Sequence, residues 1–146
     1  MRKRTQAREF SLQILYQREL NPEPIDEIFL SFWADHAGVQ AETRSFAELL
    51  ARGTCENLEE IDGLIQKAAD NWQLSRMAVV DRNILRFAVY ELLFVEEVPP
   101  KVTINEAVNM AKKFSQEDSG KFVNGVLDKI NHTEKTRYPD VPKSSD

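Results

Sequence analysis

Apolar residues recur along this chain at intervals of three and four positions, which is the spacing of one face of an α-helix. The alternation of apolar and polar residues that marks a strand is almost absent, and only five glycines and six prolines interrupt the helical pattern. The sequence therefore predicts an all-α fold of about seven helices.

The first half of the chain contains two clear helical stretches and one long one. The first runs from about Lys3 to Leu20, and its inward positions are Ala7, Phe10, Ile14 and Leu15. The second is expected to end near Gly38, a residue that tolerates left-handed backbone, and its apolar face comprises Ile25, Ile28, Phe29, Phe32 and Trp33. From about Glu42 to Asn71 one apolar stripe is interrupted by Asn57, so one long helix or two shorter helices fit the pattern.

The second half predicts three further helices. The first spans Asp81 to Val95, ends before the prolines at 99 and 100, and buries Ile84, Leu85, Ala88 and Leu92. Thr103 and Glu106 have the spacing of a capping box, which predicts that a helix opens at Thr103 and runs to Phe114. Ser115 to Asp118 repeats this spacing before a last helix to about Ile130, with Phe122, Val123, Val126, Leu127 and Ile130 inward.

Domain organisation follows from where the helical pattern stops. Residues 1–130 are predicted to form a single helical domain, since a chain of this length can enclose one apolar core. Residues 131–146 are polar and include Pro139 and Pro142, so they have too few apolar side chains to bury. This C-terminal segment is predicted to be a disordered tail.

Charge is distributed unevenly along the chain, whose net charge is -5. Residues 1–18 contain five basic residues and one acidic residue, whereas residues 19–62 contain two basic and eleven acidic residues. The overall negative charge argues against indiscriminate binding of nucleic acid. The basic N-terminus remains a candidate for contact with phosphate groups.

Several classes of protein are excluded by what the sequence lacks. No stretch approaches the roughly 20 apolar residues that cross a bilayer, and the basic N-terminus lacks the features of a signal peptide, so we expect a cytoplasmic protein. Cys55 with His36 and His132 is too small a set for a structural metal site. Phosphate-binding loops, nucleophile elbows and zinc-protease motifs are absent, which predicts a protein without catalytic activity or cofactor.

Two groups of side chains are suited to nucleic acid. Arg4 and Arg8, four positions apart on one helix face, would form a positive rail, although basic termini often only improve solubility. Lysines at 112, 113 and 121 flank Phe114 and Phe122, a mixture that fits single-stranded nucleic acid. The alternative is that both phenylalanines lie in the core, which we favour for Phe114 and leave open for Phe122. Asp118 is either a helix-opening acid or an acceptor for a base amino group.

Three segments of the second half resemble the NusB family. They are Asp81-Arg82-Asn83-Ile84-Leu85-Arg86 with Tyr90-Glu91-Leu92, Pro99 to Ala107, and Glu117 to Lys129; the early Ala7-Arg8-Glu9 and Leu15-Tyr16 fit as well. The resemblance covers about residues 2–130. It implies two small packed helical bundles and a transcription antitermination factor without enzymatic activity. The factor would bind the boxA element of nascent ribosomal RNA together with the ribosomal protein NusE, in a complex with RNA polymerase and other Nus factors.

The same resemblance assigns residues to two surfaces. The predicted RNA residues are Arg2, Lys3, Arg4, Arg8, Asp118, Ser119, Lys121 and Phe122. The predicted partner residues are Tyr16, Asp81, Arg82 and Arg86. Family members often have a denser arginine cluster before the first helix, whereas Thr5, Gln6 and Ala7 separate Arg4 from Arg8 here, so RNA binding without the partner is expected to be modest. The free protein is expected to be a monomer or a homodimer.

Two other readings stay open at the level of sequence. A similar helical domain begins some ribosomal RNA cytosine methyltransferases, but no methyl-donor fold or catalytic cysteine motif follows within these 146 residues, so the chain would be a fragment of such an enzyme. The other reading is a helical protein-interaction module whose basic N-terminus is incidental. Salt-sensitive binding to a short RNA distinguishes the first reading from this one.

Overall fold

A computed structural model describes residues 2–134, except for the side chain of Arg2. Within this range the protein has no strand, one short 3₁₀-helix at Leu74–Arg76 and seven α-helices: α1 (Arg2–Leu20), α2 (Ile25–Ala34), α3 (Ala41–Glu56), α4 (Leu58–Ala68), α5 (Val79–Phe94), α6 (Pro100–Phe114) and α7 (Glu117–Glu134). The all-α prediction is confirmed. None of these helices combines the length and the apolar character that crossing a membrane requires.

The chain divides into two compact units at the step from Glu56 to Asn57. Asn57 adopts φ -119° and ψ 23°, which interrupts the helix between α3 and α4. The polar residue in the apolar stripe therefore marks two consecutive helices rather than one. The first unit contains α1–α3, the second contains α4–α7, and each is a small helical bundle.

In the first unit α1 and α2 pack against α3 around an aromatic cluster. Phe10 of α1 makes edge-to-face contacts with Phe32 and Trp33 of α2, and His36 stacks on Phe32 at a centroid distance of 4.1 Å. Aromatic pairs in this arrangement add to the gain from burial alone. Between α2 and α3 the backbone of Gly38 has φ +92°, which is the left-handed conformation that the sequence predicts there.

The second unit is built around α5, whose side chains are largely buried. The inward positions predicted for this helix, Ile84, Leu85, Ala88 and Leu92, are all in the core. Helices α6 and α7 run close together at Gly120, where a Cβ atom would lie 2.9 Å from Cε of Lys112. A side chain at Gly120 would therefore require the Lys112 side chain to move.

The start of α6 differs from the prediction. The helix opens at Pro100, and Thr103 lies inside it, buried, where its hydroxyl donates a 2.7 Å hydrogen bond to Oε2 of Glu91 on α5. Proline is favoured in the first turn because its missing amide would have no helical partner there. The capping-box prediction was wrong because the threonine hydroxyl serves contact between helices rather than the helix end.

Helix α7 continues to Glu134, four residues beyond the predicted end at Ile130. The remainder of the predicted tail, residues 135–146, lies outside the described residues. Among the predicted core aromatics, Phe114 is 41% exposed and Phe122 is half-buried. The core placement favoured for Phe114 was therefore wrong, and neither ring is part of the apolar interior.

Candidate nucleic-acid interface

The basic residues at the start of α1 are partly engaged within the first unit. Nζ of Lys3 forms a 3.0 Å ion pair with Oε1 of Glu42 on α3, and both side chains are exposed. The hydrogen bond from Lys3 and its positive charge lower the pKa of the Glu42 carboxyl below its ordinary value. Lys3 thus remains at the surface but has an acidic neighbour. The side chain of Arg2 lies outside the described residues.

Arg4 and Arg8 share a helix face, as predicted, but that face lies against α3. The guanidinium carbons of Arg4 and Arg8 lie 4.3 and 5.5 Å from the ring centroid of Phe46. Arg4 is half-buried, whereas only 1% of Arg8 is exposed. The expectation that Arg8 belongs to an exposed positive rail was wrong, because its side chain is part of the interior.

A cleft of about 400 Å³ opens in the second unit beside the N-terminal turns of α5 and α7. It is lined by Trp72, Arg76, Met77, Ala78, Asp81, Gln116, Asp118, Ser119 and Phe122, and we call it the α5–α7 cleft. Three predicted RNA residues (Asp118, Ser119 and Phe122) and one predicted partner residue (Asp81) line it together. The sequence assigned these residues to two surfaces, and the structure brings them to one place.

A hydrogen bond connects the two sets within the cleft. Oγ of buried Ser119 donates to Oδ2 of Asp81 at 2.9 Å, and Ser115 lies within 3.1 Å of the same hydroxyl. The other carboxylate oxygen of Asp81, Oδ1, is buried without a donor from any described residue. Asp81 and Asp118 each lie in the first turn of their helix, where the helix dipole favours a negative charge.

Aromatic rings form one wall of the α5–α7 cleft. Trp72 is 60% exposed, and its ring meets that of Phe122 at a centroid distance of 5.7 Å and an angle of 64°. Gln66 fixes the loop that carries Trp72: its Nε2 donates to the Trp72 carbonyl at 2.6 Å, and its Oε1 accepts from the Leu74 amide at 2.8 Å. An exposed tryptophan is therefore held on an ordered loop beside α7.

The sequence pattern did not single out Trp72 and Arg76. They belong to the connection between the predicted helices, residues 72–80, where no periodic pattern marks an inward or outward face. The sequence offered one signal that could have found this site. A tryptophan stands among polar residues in a loop, although large aromatic side chains are usually kept from solvent. Lys121 is exposed on α7 as predicted, but it does not line the cleft.

Two predicted partner residues make contacts inside the second unit. Arg82 is buried and donates to the carbonyls of Leu74 and Met77 at 3.0 and 2.8 Å. Arg86 forms a forked pair with Asp62 of α4, at 2.8 and 2.9 Å. Both arginines therefore hold elements of the unit together. Tyr16 of α1, in the first unit, is exposed as the prediction requires.

Metal binding has no support in the described residues. Across residues 2–134, no three histidine, cysteine, aspartate or glutamate side chains are placed to hold a metal ion. The groups that the α5–α7 cleft offers are aromatic faces, carboxylates, an amide and a guanidinium. Such groups suit the recognition of a planar, hydrogen-bonding ligand.

Comparison with known proteins gives consistent matches. The family model described as the NusB family matches residues 5–132. The transcription antitermination protein NusB of Desulfitobacterium hafniense (strain DSM 10664 / DCB-2) is 48% identical over 125 residues, covering 85% of this chain and 84% of that protein. The structure of T. maritima NusB has a TM-score of 0.81 at 40% identity, covering 89% of this chain and 91% of its own.

A third match is to a chain in the crystal structure of the antitermination factors NusB and NusE in complex with double-stranded RNA. It has a TM-score of 0.82 at 32% identity, with 90% of this chain and 98% of that chain covered. These relatives are named for antitermination and not for a catalysed reaction such as methyl transfer. Since the family model and the curated relative each match most of the sequence, the chain belongs to the NusB family.

Proposed function

We propose that this protein is a transcription antitermination factor that binds RNA together with NusE and catalyses no reaction. Family membership supports the role, and a similar chain forms a complex with NusE and RNA. The observation that carries the proposal is the α5–α7 cleft, which unites predicted RNA residues with predicted partner residue Asp81. A surface shared in this way suits a protein that binds RNA and a protein partner in one complex.

The proposal includes a specific RNA and a specific setting. The RNA is the boxA element of nascent ribosomal RNA transcripts, bound as a single strand, and the complex includes other Nus factors and RNA polymerase. The exposed aromatic face of Trp72 favours single-stranded RNA, because only unpaired bases are free to stack on protein side chains. Binding would promote processive transcription of ribosomal RNA operons in the cytoplasm, by a protein that is a monomer or homodimer when free.

Each unit contributes its own residues to RNA binding in this proposal. In the first unit these are Arg2, Lys3 and the half-buried Arg4, and in the second they are Asp118, Ser119, Lys121 and Phe122. Arg8 is buried and stabilises the first unit through its contact with Phe46. For NusE we retain Tyr16 and Asp81 as contact residues, whereas Arg82 and Arg86 act by holding the α4–α5 region in place.

A fluorescence anisotropy titration tests the proposal. A labelled boxA-like RNA, a scrambled strand and a duplex of the boxA sequence are each titrated with the protein, with and without NusE, at two salt concentrations. We expect the boxA single strand to bind most tightly, with affinity that rises with NusE and falls with salt. Equal binding of all three RNAs, or none, would instead favour a helical protein-interaction module.

A further inference from the structure

A groove of about 420 Å³ lies between α2 and α3 in the first unit, and we call it the α2–α3 groove. Asp26 near the start of α2 pairs with Arg52 near the end of α3. Trp33 near the end of α2 lies under Arg44 near the start of α3, so the two helices run antiparallel. The described residues that line the groove include none of those predicted to contact RNA or NusE.

The groove has an apolar surface that is open to solvent. Leu30 is 75% exposed, and Ala34, one turn further along α2, is exposed as well. The rings of Phe29 and Trp33 also line the groove, although only 4% and 7% of these residues is exposed. Single exposed apolar side chains are common on proteins, but here four apolar residues of one helix line the same groove. The groove therefore offers a surface that an apolar side chain of a partner could cover.

The polar groups beside this apolar surface are engaged by contacts within the unit. Arg52 donates to Oδ1 of Asp26 at 2.6 Å. Nε1 of Trp33 donates to Oε2 of Glu48 at 2.7 Å, and the guanidinium carbon of Arg44 lies 5.3 Å from the Trp33 ring centroid. Side chains that are already ordered lose less conformational entropy when a partner binds. The groove is thus prepared for binding in both its apolar and its polar parts.

Negative charge predominates around the groove. Residues 23–56 contain seven acidic and two basic residues. The hydrogen bond to Asp26 raises the pKa of the Arg52 guanidinium above its usual value. The negative charges of Glu48 and Glu56 act in the same direction, so three carboxylates lie near one guanidinium. A partner that carries positive charge beside an apolar side chain therefore complements the groove.

We propose that the α2–α3 groove is a docking surface for a basic amphipathic helix of a protein partner. An apolar side chain of that helix covers Leu30 and Ala34, and its lysine or arginine residues lie near the three carboxylates. Amphipathic helices enter apolar grooves through side chains spaced three and four positions apart. The inference does not depend on RNA binding, and it adds a protein-interaction surface to those of the proposed function.

The other possible occupants fit the groove less well. An RNA strand would bring phosphate groups to a region in which acidic residues outnumber basic ones, and like charges repel. A second copy of this chain, placed symmetrically, would bring the same acidic region against itself. A partner strand would find no open sheet edge to join, because both walls of the groove are helices.

The test is a titration of the full chain with a labelled synthetic peptide. The peptide contains lysine and leucine, has its leucines at helical spacing, and is about 14 residues long, which spans roughly 21 Å as a helix. A scrambled peptide of the same composition and a peptide with glutamate in place of lysine are the controls. Binding is followed by anisotropy and by the NMR signal of the Trp33 indole N–H, which lies in the groove. Trp72→Phe distinguishes this signal from that of the other tryptophan.

We expect the amphipathic peptide to bind about tenfold more tightly than the scrambled one, to shift the Trp33 signal, and to bind more weakly in high salt. The glutamate peptide should leave the Trp33 signal unchanged. Leu30→Ala should weaken binding about tenfold, the effect of withdrawing roughly two methylene groups from an apolar contact. Leu20→Ala is the matched control, since Leu20 is 62% exposed on α1 and does not line the groove; its affinity should stay within about twofold. Both variants should keep the wild-type urea midpoint, because both side chains are largely exposed.

Each of three outcomes contradicts the inference. Equal affinity for the amphipathic and scrambled peptides, or no binding of either, would show that the groove does not recognise a helix. A shift of the Trp33 signal by hexauridylate but not by the peptide would assign the groove to RNA. Dimerisation in analytical ultracentrifugation that Leu30→Ala abolishes, without a response to the peptide, would assign it to a second copy of this chain.

Discussion

The N-terminal basic residues and the α5–α7 cleft show opposite relations between sequence and surface. Lys3, Arg4 and Arg8 look available in the sequence, but Glu42 pairs with the first and Phe46 lies under the other two. In the cleft, Trp72 belongs to a loop without a periodic pattern, yet its side chain is exposed and its carbonyl accepts a hydrogen bond from Gln66. A region rich in basic residues thus serves partly its own unit, and a region with a single basic residue, Arg76, offers more for a ligand.

The difference follows from which side of each helix is covered. The face of α1 that carries Arg4 and Arg8 packs on α3, so phosphate groups compete with contacts already made. The first turns of α5 and α7 leave a gap in which aromatic and polar groups face the same space. The number of basic residues in a sequence indicates how strongly it attracts RNA. The packing of the helices decides which of those residues can contact phosphate groups.

Arg8→Ala tests this comparison most severely. We expect the free energy of unfolding to fall by about 3 kcal/mol, because truncating a buried side chain leaves a cavity and removes interior contacts of the guanidinium. Arg4→Ala is the control, and its half-buried side chain should cost about 1 kcal/mol or less. Urea unfolding followed by circular dichroism measures both. Unchanged stability of Arg8→Ala with weaker RNA binding would return Arg8 to the RNA surface.

Phe122→Ala tests the cleft side of the comparison, with Phe114→Ala as its match. Both rings are at least partly exposed, but only Phe122 lines the cleft and contacts Trp72. Losing a ring that stacks on or beside a base costs about 1–3 kcal/mol of binding, so boxA affinity should fall roughly tenfold for Phe122→Ala. Phe114→Ala should stay within about twofold by anisotropy. Equal losses in the two variants would mean that aromatic surface in general, not the cleft, binds RNA.

The helices themselves were accessible from the sequence because their apolar stripes are long and regular. The helix end near Gly38 was also readable, since a glycine after a helix has a local cause. At Asn57 the sequence left one long helix or two shorter helices open, and the structure has two. Thr103 was misread because its hydroxyl bonds to Glu91, twelve residues away along the chain. Local patterns cannot distinguish a cap from a contact between helices when the same residue type serves both.

The candidate site was harder to predict for the same reason. Asp81 and Ser119 lie 38 residues apart and meet only when α5 packs against α7, so their hydrogen bond has no local signature. Arg8 was expected at a surface as part of a basic helix face, and Arg82 and Arg86 were expected there from the family resemblance. A guanidinium can be buried when rings, carbonyls or carboxylates surround it, and those partners come from distant parts of the sequence.

Glu42→Gln would sharpen the comparison by freeing Lys3. Removing the acidic neighbour leaves the ammonium group available for phosphate, so we expect RNA affinity at low salt to rise about two- to fivefold and the salt dependence to steepen by up to about 0.7. Asp26→Asn is the matched control, since it frees Arg52 from a similar exposed pair on α2 and α3. An equal gain in the control would point to net charge rather than to Lys3.

The smallest expected effect is on the pH dependence of stability, and it separates the two exposed ion pairs from the rest of the first unit. Hydrogen bonds and charge from Lys3 and Arg52 lower the pKa of Glu42 and Asp26 in the folded protein, relative to ordinary values of 4.5 and 3.8. Because folding lowers these pKa values, the pairs stabilise the protein above them, and the contribution is lost as pH falls through the folded values. The double variant Glu42→Gln/Asp26→Asn should therefore have a slightly lower urea midpoint than the wild type at pH 7. The gap should begin to narrow as pH falls below about 4 and should close once pH is below both folded pKa values. High salt should shrink the gap at pH 7, since both pairs are exposed and screened.

A gap that persists unchanged at low pH and in high salt would contradict this prediction. It would show that the two carboxylates act by packing and that the charges of these two pairs contribute nothing to the stability of the first unit.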